Sequence, residues 1–142
     1  MGNIRLRGEL NWQGRNILIV EDDQVCFSYL DVLLKPTRAT IFHALEGQQA
    51  VNLCHAHPEM DVILMDIRLP GMNGLDATRE ITSFRKELPV IAQTAYASEQ
   101  DRKAALSAGC WDFITKPIRA NEMLELIRKY LEGETEDVGR ET

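Results

Sequence analysis

Three cysteines in 142 residues, Cys26, Cys54 and Cys110, stand far apart with no C-x-x-C pair. That spacing argues against a disulfide framework and against a zinc site, and it fits a reducing cytosol. Long apolar runs are missing too. No stretch approaches the ~20 residues of a membrane span, and the opening segment MGNIRLRGELNWQG lacks the apolar core of a signal peptide. A soluble, cytoplasmic chain with no membrane contact is expected. Basic patches are absent as well: 16 Lys and Arg face 22 acids, for a formal charge of -6, and nowhere do the cations concentrate into the footprint of a nucleic-acid binder. There are no internal repeats or low-complexity tracts. The pattern G-x-x-x-x-G-K-[ST] does not occur, which excludes a P-loop kinase.

What is present fits one α/β domain: 44% of side chains are hydrophobic and 27% charged, enough to bury a complete core. Five short apolar runs, ILIV (17–20), ATIFHA (39–44), DVILMD (61–66), PVIAQTA (89–95) and WDFITKP (111–117), alternate with segments of helical period. ILIV and VILM are unbroken rather than alternating, so helices should cover both sheet faces, as in a parallel sheet. Helix one, over 24–35, sets Phe27, Leu30, Leu33 and Leu34 on one stripe and stops before Pro36. Helix two, over 46–57, is closed by Pro58, and helix three follows Asn73-Gly74. Helix four opens on the capping pattern Ser98-x-x-Asp101 and closes at Gly109. Helix five starts near Asn121 and buries Met123, Leu124, Ile127 and Leu131. The expected fold is a three-layer, doubly wound (βα)5 unit over 16–132. Residues 1–15 read as a linker and 133–142 as an acidic tail.

In such a sheet, ligands bind beyond the carboxyl ends of the strands, where strand order reverses. Strand one runs into Glu21-Asp22-Asp23 and strand three into Asp66. If these strands are neighbours, Glu21, Asp22 and Asp66 converge on one rim. Carboxylates about 5 Å apart repel by roughly 3 kcal/mol per pair at an effective dielectric of 20, so a cation must offset them. A hard divalent ion answers that need, and Mg²⁺ keeps waters that a phosphoryl group can replace. Strand four delivers the Thr94 hydroxyl and the backbone N–H of Ala95, and strand five the Lys116 ammonium before Pro117. Acid, hydroxyl, ammonium and metal together point to phosphoryl chemistry with a carboxylate nucleophile. Singly, each residue has a plainer reading. Asp66 could cap a turn, Glu21, Asp22 or Asp23 could cap helix one, Lys116 could be a solvated strand end, and Thr94 an ordinary β-branched strand residue. Their joint order and placement favour the site. His43, His55 and His57 meet no acid at metal-ligand spacing and read as incidental, and the cysteines as small core residues.

These motifs carry a resemblance. From about Asn16 to Leu131 the chain resembles the receiver domain of two-component response regulators: ILIVEDD is similar to the family's first strand and acidic pair, LMDIRLPGMNG to its phosphoacceptor loop, QTAYA to its switch-threonine segment and DFITKPI to its lysine-proline strand. The resemblance implies the flavodoxin-like strand order 2-1-3-4-5. It implies that Asp66 accepts a phosphoryl group from a histidine kinase or histidine phosphotransfer protein. Glu21, Asp22, Asp66 and the backbone carbonyl of Arg68 would hold Mg²⁺, with Mn²⁺ as a substitute, and Thr94, the Ala95 N–H and Lys116 would grip the phosphoryl oxygens. The Lys116–Pro117 peptide is expected to be cis. Phe113 falls where the family carries an aromatic ring that follows the threonine, although a plain core or rim ring is an equal reading. Arg68 and Tyr96 occupy the positions flanking the acyl phosphate, where they tune its hydrolysis. Glu21 stands where Asp is commoner.

A receiver is not a classical enzyme: it catalyses its own phosphorylation and dephosphorylation, and it reshapes the face formed by helix four, strand five and helix five, which also serves receiver dimers. The segments NWQGRNILIVEDD and PVIAQTAYA resemble receivers attached behind the catalytic region of hybrid sensor kinases, which favours a receiver excised from such a kinase in a phosphorelay over a free-standing regulator. Rivals fare worse. A flavodoxin-like cofactor binder needs a Ser/Thr/Gly loop after strand one, where Glu21-Asp22-Asp23 would repel FMN phosphate. An aspartate-nucleophile phosphatase wants a second acid two residues past the nucleophile, where Arg68 stands. The remaining alternative is a pseudo-receiver that only docks proteins, separable by Mg²⁺ affinity and phosphodonor reactivity.

Overall fold

Strand β1 (Asn16–Val20) explains its own unbroken apolar run: Ile17, Leu18, Ile19 and Val20 have no exposed surface, because each face of the sheet is covered. The structure is a computed structural model, and it describes residues 10–95 and 98–133. After β1 come α1 (Gln24–Leu34), a 3₁₀ turn (Lys35–Thr37), β2 (Thr40–Ala44), α2 (Gly47–Ala56), β3 (Val62–Asp66) and α3 (Gly74–Phe84). They are followed by β4 (Val90–Thr94), α4 (Glu99–Ala108), β5 (Asp112–Thr115) and α5 (Ala120–Glu132). The five strands are all parallel in the order β2-β1-β3-β4-β5, so the chain is the flavodoxin-like α/β fold that the motifs implied.

Successive strand residues point to opposite faces, and this divides the core in two. Leu18, Val20, Ile63, Met65, Val90 and Ala92 meet helices α2 and α3 through Ala50, Val51, Ala77 and Ile81. Ile17, Ile19, Val62, Leu64 and Ile91 meet α1 and α5 through Leu30, Leu34, Met123, Leu124, Ile127 and Leu131. Each buried aliphatic side chain stabilises the fold by about 1.5–3 kcal/mol, so the strands are firmly anchored where they reach the carboxyl rim. Cys54 and Cys110 are buried, and burial pushes both thiols up to about 11, which leaves them as inert packing. Cys26, read from sequence as a third core residue, is only partly buried.

Local chemistry sets the ends. Asp23 caps α1 by accepting the Val25 and Cys26 N–H groups at 2.9 and 3.0 Å, Asn73 caps α3 through the Asp76 N–H, and Ser98 caps α4 through the Asp101 N–H. Gly109 ends α4 at φ 112°, a left-handed conformation that favours glycine. Pro36 ends α1 as expected and lies within the 3₁₀ turn that begins at Lys35, since proline is tolerated in a first turn, where its missing N–H has no helical partner to lose.

The start of the packed chain differs from the sequence reading. Leu10 and Trp12, placed in a linker by their position ahead of the periodic pattern, are buried in the α1–α5 side of the core. The Trp12 N–H donates to the Thr37 carbonyl, its indole donates to Glu132 at 3.0 Å, and Arg15 donates to the Leu131 carbonyl. Two apolar residues in a polar segment carry too little periodicity to signal such a strap. The acidic tail from residue 134 onward lies outside the described residues.

Gly74 is dictated by proximity rather than by φ: a Cβ there would lie 2.6 Å from the Ile67 Cα and closer still to the Asp66 carbonyl oxygen. Helix α3 therefore begins in backbone contact with the end of β3. The Gly74→Ala variant is expected to lose about 1–3 kcal/mol in urea unfolding, the usual cost of overpacking. An unchanged midpoint would show that the Asp66 loop is free to shift.

Candidate functional site

The register of the sheet assembles the site. Val20 pairs with Met65, so the next residues, Glu21 and Asp66, leave the sheet side by side at the switch between β1 and β3. Asp66 in turn pairs with Gln93, which puts Thr94 at the adjacent rim, and Thr94 pairs with Thr115, which delivers Lys116 next. The Lys116 N–H donates to the Thr94 carbonyl at 2.7 Å, and the Lys116–Pro117 peptide is cis.

Glu21, Asp22 and Asp66 each place a carboxylate oxygen within 4.8 Å of the other two. Glu21 and Asp66 are buried, whereas Asp22 is exposed. The Lys116 ammonium lies between the buried pair, 2.9 Å from Glu21 Oε1 and 3.2 Å from Asp66 Oδ2. Part of the cation demanded by the acids is thus supplied by the protein. Burial pushes the Glu21 carboxyl above its ordinary range; the Lys116 hydrogen bond opposes that rise and the Asp66 charge adds to it. Lys116 feels the reverse balance: burial alone would lower it, but the hydrogen bond to Glu21 and the charges of Asp66 and Glu21 outweigh burial and hold it raised, hence charged.

Backbone donors complete the frame. Asp66 Oδ1 accepts the Arg68 N–H at 2.9 Å, and Glu21 Oε2 accepts the Asp23 N–H at 3.1 Å. Because Asp23 caps α1, Glu21 and Asp22 are left for other work. The three carboxylates form an all-oxygen donor set, which suits a hard divalent ion such as Mg²⁺. The position of the Lys116 ammonium marks where positive charge is favoured.

Thr94 is buried at the end of β4, and Ala95 is exposed just beyond it. Phe113 does not join the acids; its half-buried ring packs on the α2–α3 side of the core. Tyr96 lies outside the described residues. One contributor escaped the sequence reading. His43, at the end of β2, donates its Nε2–H to the Glu21 carbonyl at 2.8 Å and stacks on Phe27 with ring centroids 3.6 Å apart. Only the β1–β2 register, which pairs Ile19 with His43, reveals it.

The model of the response regulator receiver domain matches residues 17–128. Among solved structures, the receiver domain of sensor histidine kinase PA1611 from Pseudomonas aeruginosa, with a magnesium ion coordinated in its active-site cleft, is 34% identical over 84% of this chain and 99% of that one, at a TM-score of 0.78. A chain from the co-crystal structure of the Saccharomyces cerevisiae histidine phosphotransfer protein Ypd1 with the receiver domain of Ssk1 is 30% identical, covering 82% of this chain and 88% of its own, at 0.77. One from the Borrelia burgdorferi CheX–CheY–BeF₃–Mg²⁺ complex is 29% identical, covering 89% and 97%, at 0.80. With sheet order, acid pocket and family model in agreement, the chain belongs to the response regulator receiver domains of two-component signalling.

Proposed function

We propose that this receiver takes a phosphoryl group from a phosphohistidine onto Asp66. The observation that carries the reading is the pairing of Asp66 with Lys116 inside the carboxylate cluster at the rim of β1 and β3. An Asp66 oxygen attacks phosphorus, a P–O bond forms as the P–N bond breaks, and the departing imidazole keeps the electron pair and takes a proton from water. Lys116, already charged, stands where it can follow the transferred oxygens. The Thr94 hydroxyl and the Ala95 N–H, at the end of the neighbouring strand β4, would bind a second oxygen. Glu21, Asp22, Asp66 and the Arg68 carbonyl would hold Mg²⁺, which when bound neutralises the acids and the incoming phosphoryl charge. Arg68 and Tyr96, two residues past Asp66 and Thr94 in sequence, would tune hydrolysis.

The donor is read as a protein. Helix α1 borders the rim and leaves Val25, Tyr29 and Val32 exposed at i, i+4 and i+7, a stripe opposite its buried Leu30 and Leu34. Such a stripe suits the helices of a histidine kinase or histidine phosphotransfer protein, and the likeness to the chain crystallised with Ypd1 supports it. The likeness to a sensor kinase's receiver supports a phosphorelay setting within a hybrid kinase. On phosphorylation, Thr94 is drawn inward and Phe113 follows, reshaping the face of α4, β5 and α5. There Leu106 and Trp111 are exposed, and Trp111 meets Tyr130 edge to face, a surface fit for an output partner or a second copy.

Incubation with Mg²⁺ and acetyl phosphate should add one phosphoryl group by intact mass. The adduct should vanish without Mg²⁺ and in Asp66→Asn. No adduct and no Mg²⁺ binding would favour a protein-docking module that works without phosphate. Mg²⁺ binding should also weaken on acidification sooner than ordinary carboxylates allow. The raised Glu21 carboxyl regains its proton at a higher pH than an ordinary glutamate and competes with the metal. Calorimetric titrations between pH 7 and about pH 5 check this; an affinity constant over that range would contradict it.

A further inference from the structure

A cavity that shares Lys116 with the acid pocket lies between α1 and the turn that follows β5. Its volume is about 340 Å³, and its walls are almost wholly apolar, formed by Leu30, Pro117 and Ile118, with the exposed Val25 at its open rim. Tyr29 spans it by donating its hydroxyl to the Ile118 carbonyl at 2.9 Å. Gln93 forms part of the lining, and it is the anomaly. Two residues after the core side chain Ile91, it points to the same face of β4, where an aliphatic residue would complete the pattern. Instead an amide with no exposed surface stands there, and neither its Oε1 nor its Nε2 has a hydrogen-bond partner among the described residues.

A buried amide with both ends unpaired opposes folding, and an aliphatic side chain of similar size would avoid that cost. A water at the amide would meet few other polar groups, because the walls around it are almost wholly apolar. What fits is a molecule that presents a donor and an acceptor side by side to Gln93 and an apolar body to the walls. The volume falls at the small end of ligand sites. We propose that this cavity binds a small, flat, largely apolar molecule bearing a carboxamide, lactam or carboxylic acid group, held in a two-point pairing with the Gln93 amide. The Lys116 stem also lines the cavity. The site is therefore adjacent to the acid pocket, and its test does not use the reactivity of Asp66.

Benzamide is the probe, with toluene as the ring that lacks the amide, and binding is followed by ¹H–¹⁵N NMR on the whole chain. Benzamide should give saturable shifts centred on the Gln93 side-chain NH₂ and the Ile118 amide. Gln93→Leu should weaken benzamide by about tenfold while leaving toluene unchanged or tighter, since only the pairing is lost. Gln93→Met provides a second, flexible isostere should the leucine disturb packing. Both variants should unfold at a higher temperature than the wild type, the signature of a residue kept against stability. No saturable shift at Gln93, equal benzamide binding by wild type and both variants, or an amide that exchanges only with water would each overturn the proposal.

Discussion

The Lys116 ammonium held between Glu21 and Asp66 is the contact on which this site depends. Two buried carboxylates at the mouth of a parallel sheet, with a third exposed beside them, would push the strand ends apart at roughly 3 kcal/mol per pair. One cation offsets only part of that, so the pocket retains a net negative charge. A site balanced in this way has two uses for positive charge: a fixed ammonium that keeps the acids together, and an exchangeable ion that can arrive with the phosphoryl group. The raised Glu21 carboxyl reports the residual cost of the arrangement, and the raised Lys116 reports how strongly the acids hold it.

The rest of the molecule fixes the geometry of that contact. Fully buried β3 and β1, buried from Ile17 onward, set Glu21 and Asp66 in adjacent register. The glycine at position 74 lets α3 begin against the Asp66 carbonyl, so the loop carrying Arg68 N–H turns back onto Asp66. Asp23 satisfies the first turn of α1, and His43 ties the Glu21 carbonyl to β2. The sheet holds the backbone while Lys116, on a flexible stem, is the member able to move. Lys116 also lines the cavity that Gln93 helps to form, so one side chain borders both spaces.

Much of this was legible in the sequence. Unbroken runs such as ILIV announce strands covered on both faces, and the order of Glu21, Asp22, Asp66, Thr94 and Lys116 at successive strand ends announces the site. What escaped depends on contacts between distant residues. Trp12 looks like part of a polar leader until its indole is seen on Glu132, 120 positions away. His43 looks incidental until the β1–β2 register places it under Glu21. Gln93 passes for an ordinary strand residue, since nothing local says that its face of β4 is closed to water. Cys26 follows the buried pattern of its fellow cysteines only in type, because helix α1 turns it toward the cavity's rim.

If charge balance governs the pocket, then removing the ammonium must leave more room for a metal. Calorimetric titration of Mg²⁺ into the wild type and Lys116→Met measures this directly. A unit charge about 4 Å away is worth about 1 kcal/mol in water and about 4 at an effective dielectric of 20, so the variant should bind Mg²⁺ at least about fivefold more tightly. Unchanged or weaker binding, with the fold intact, would contradict the view that Lys116 and the metal answer the same excess of negative charge.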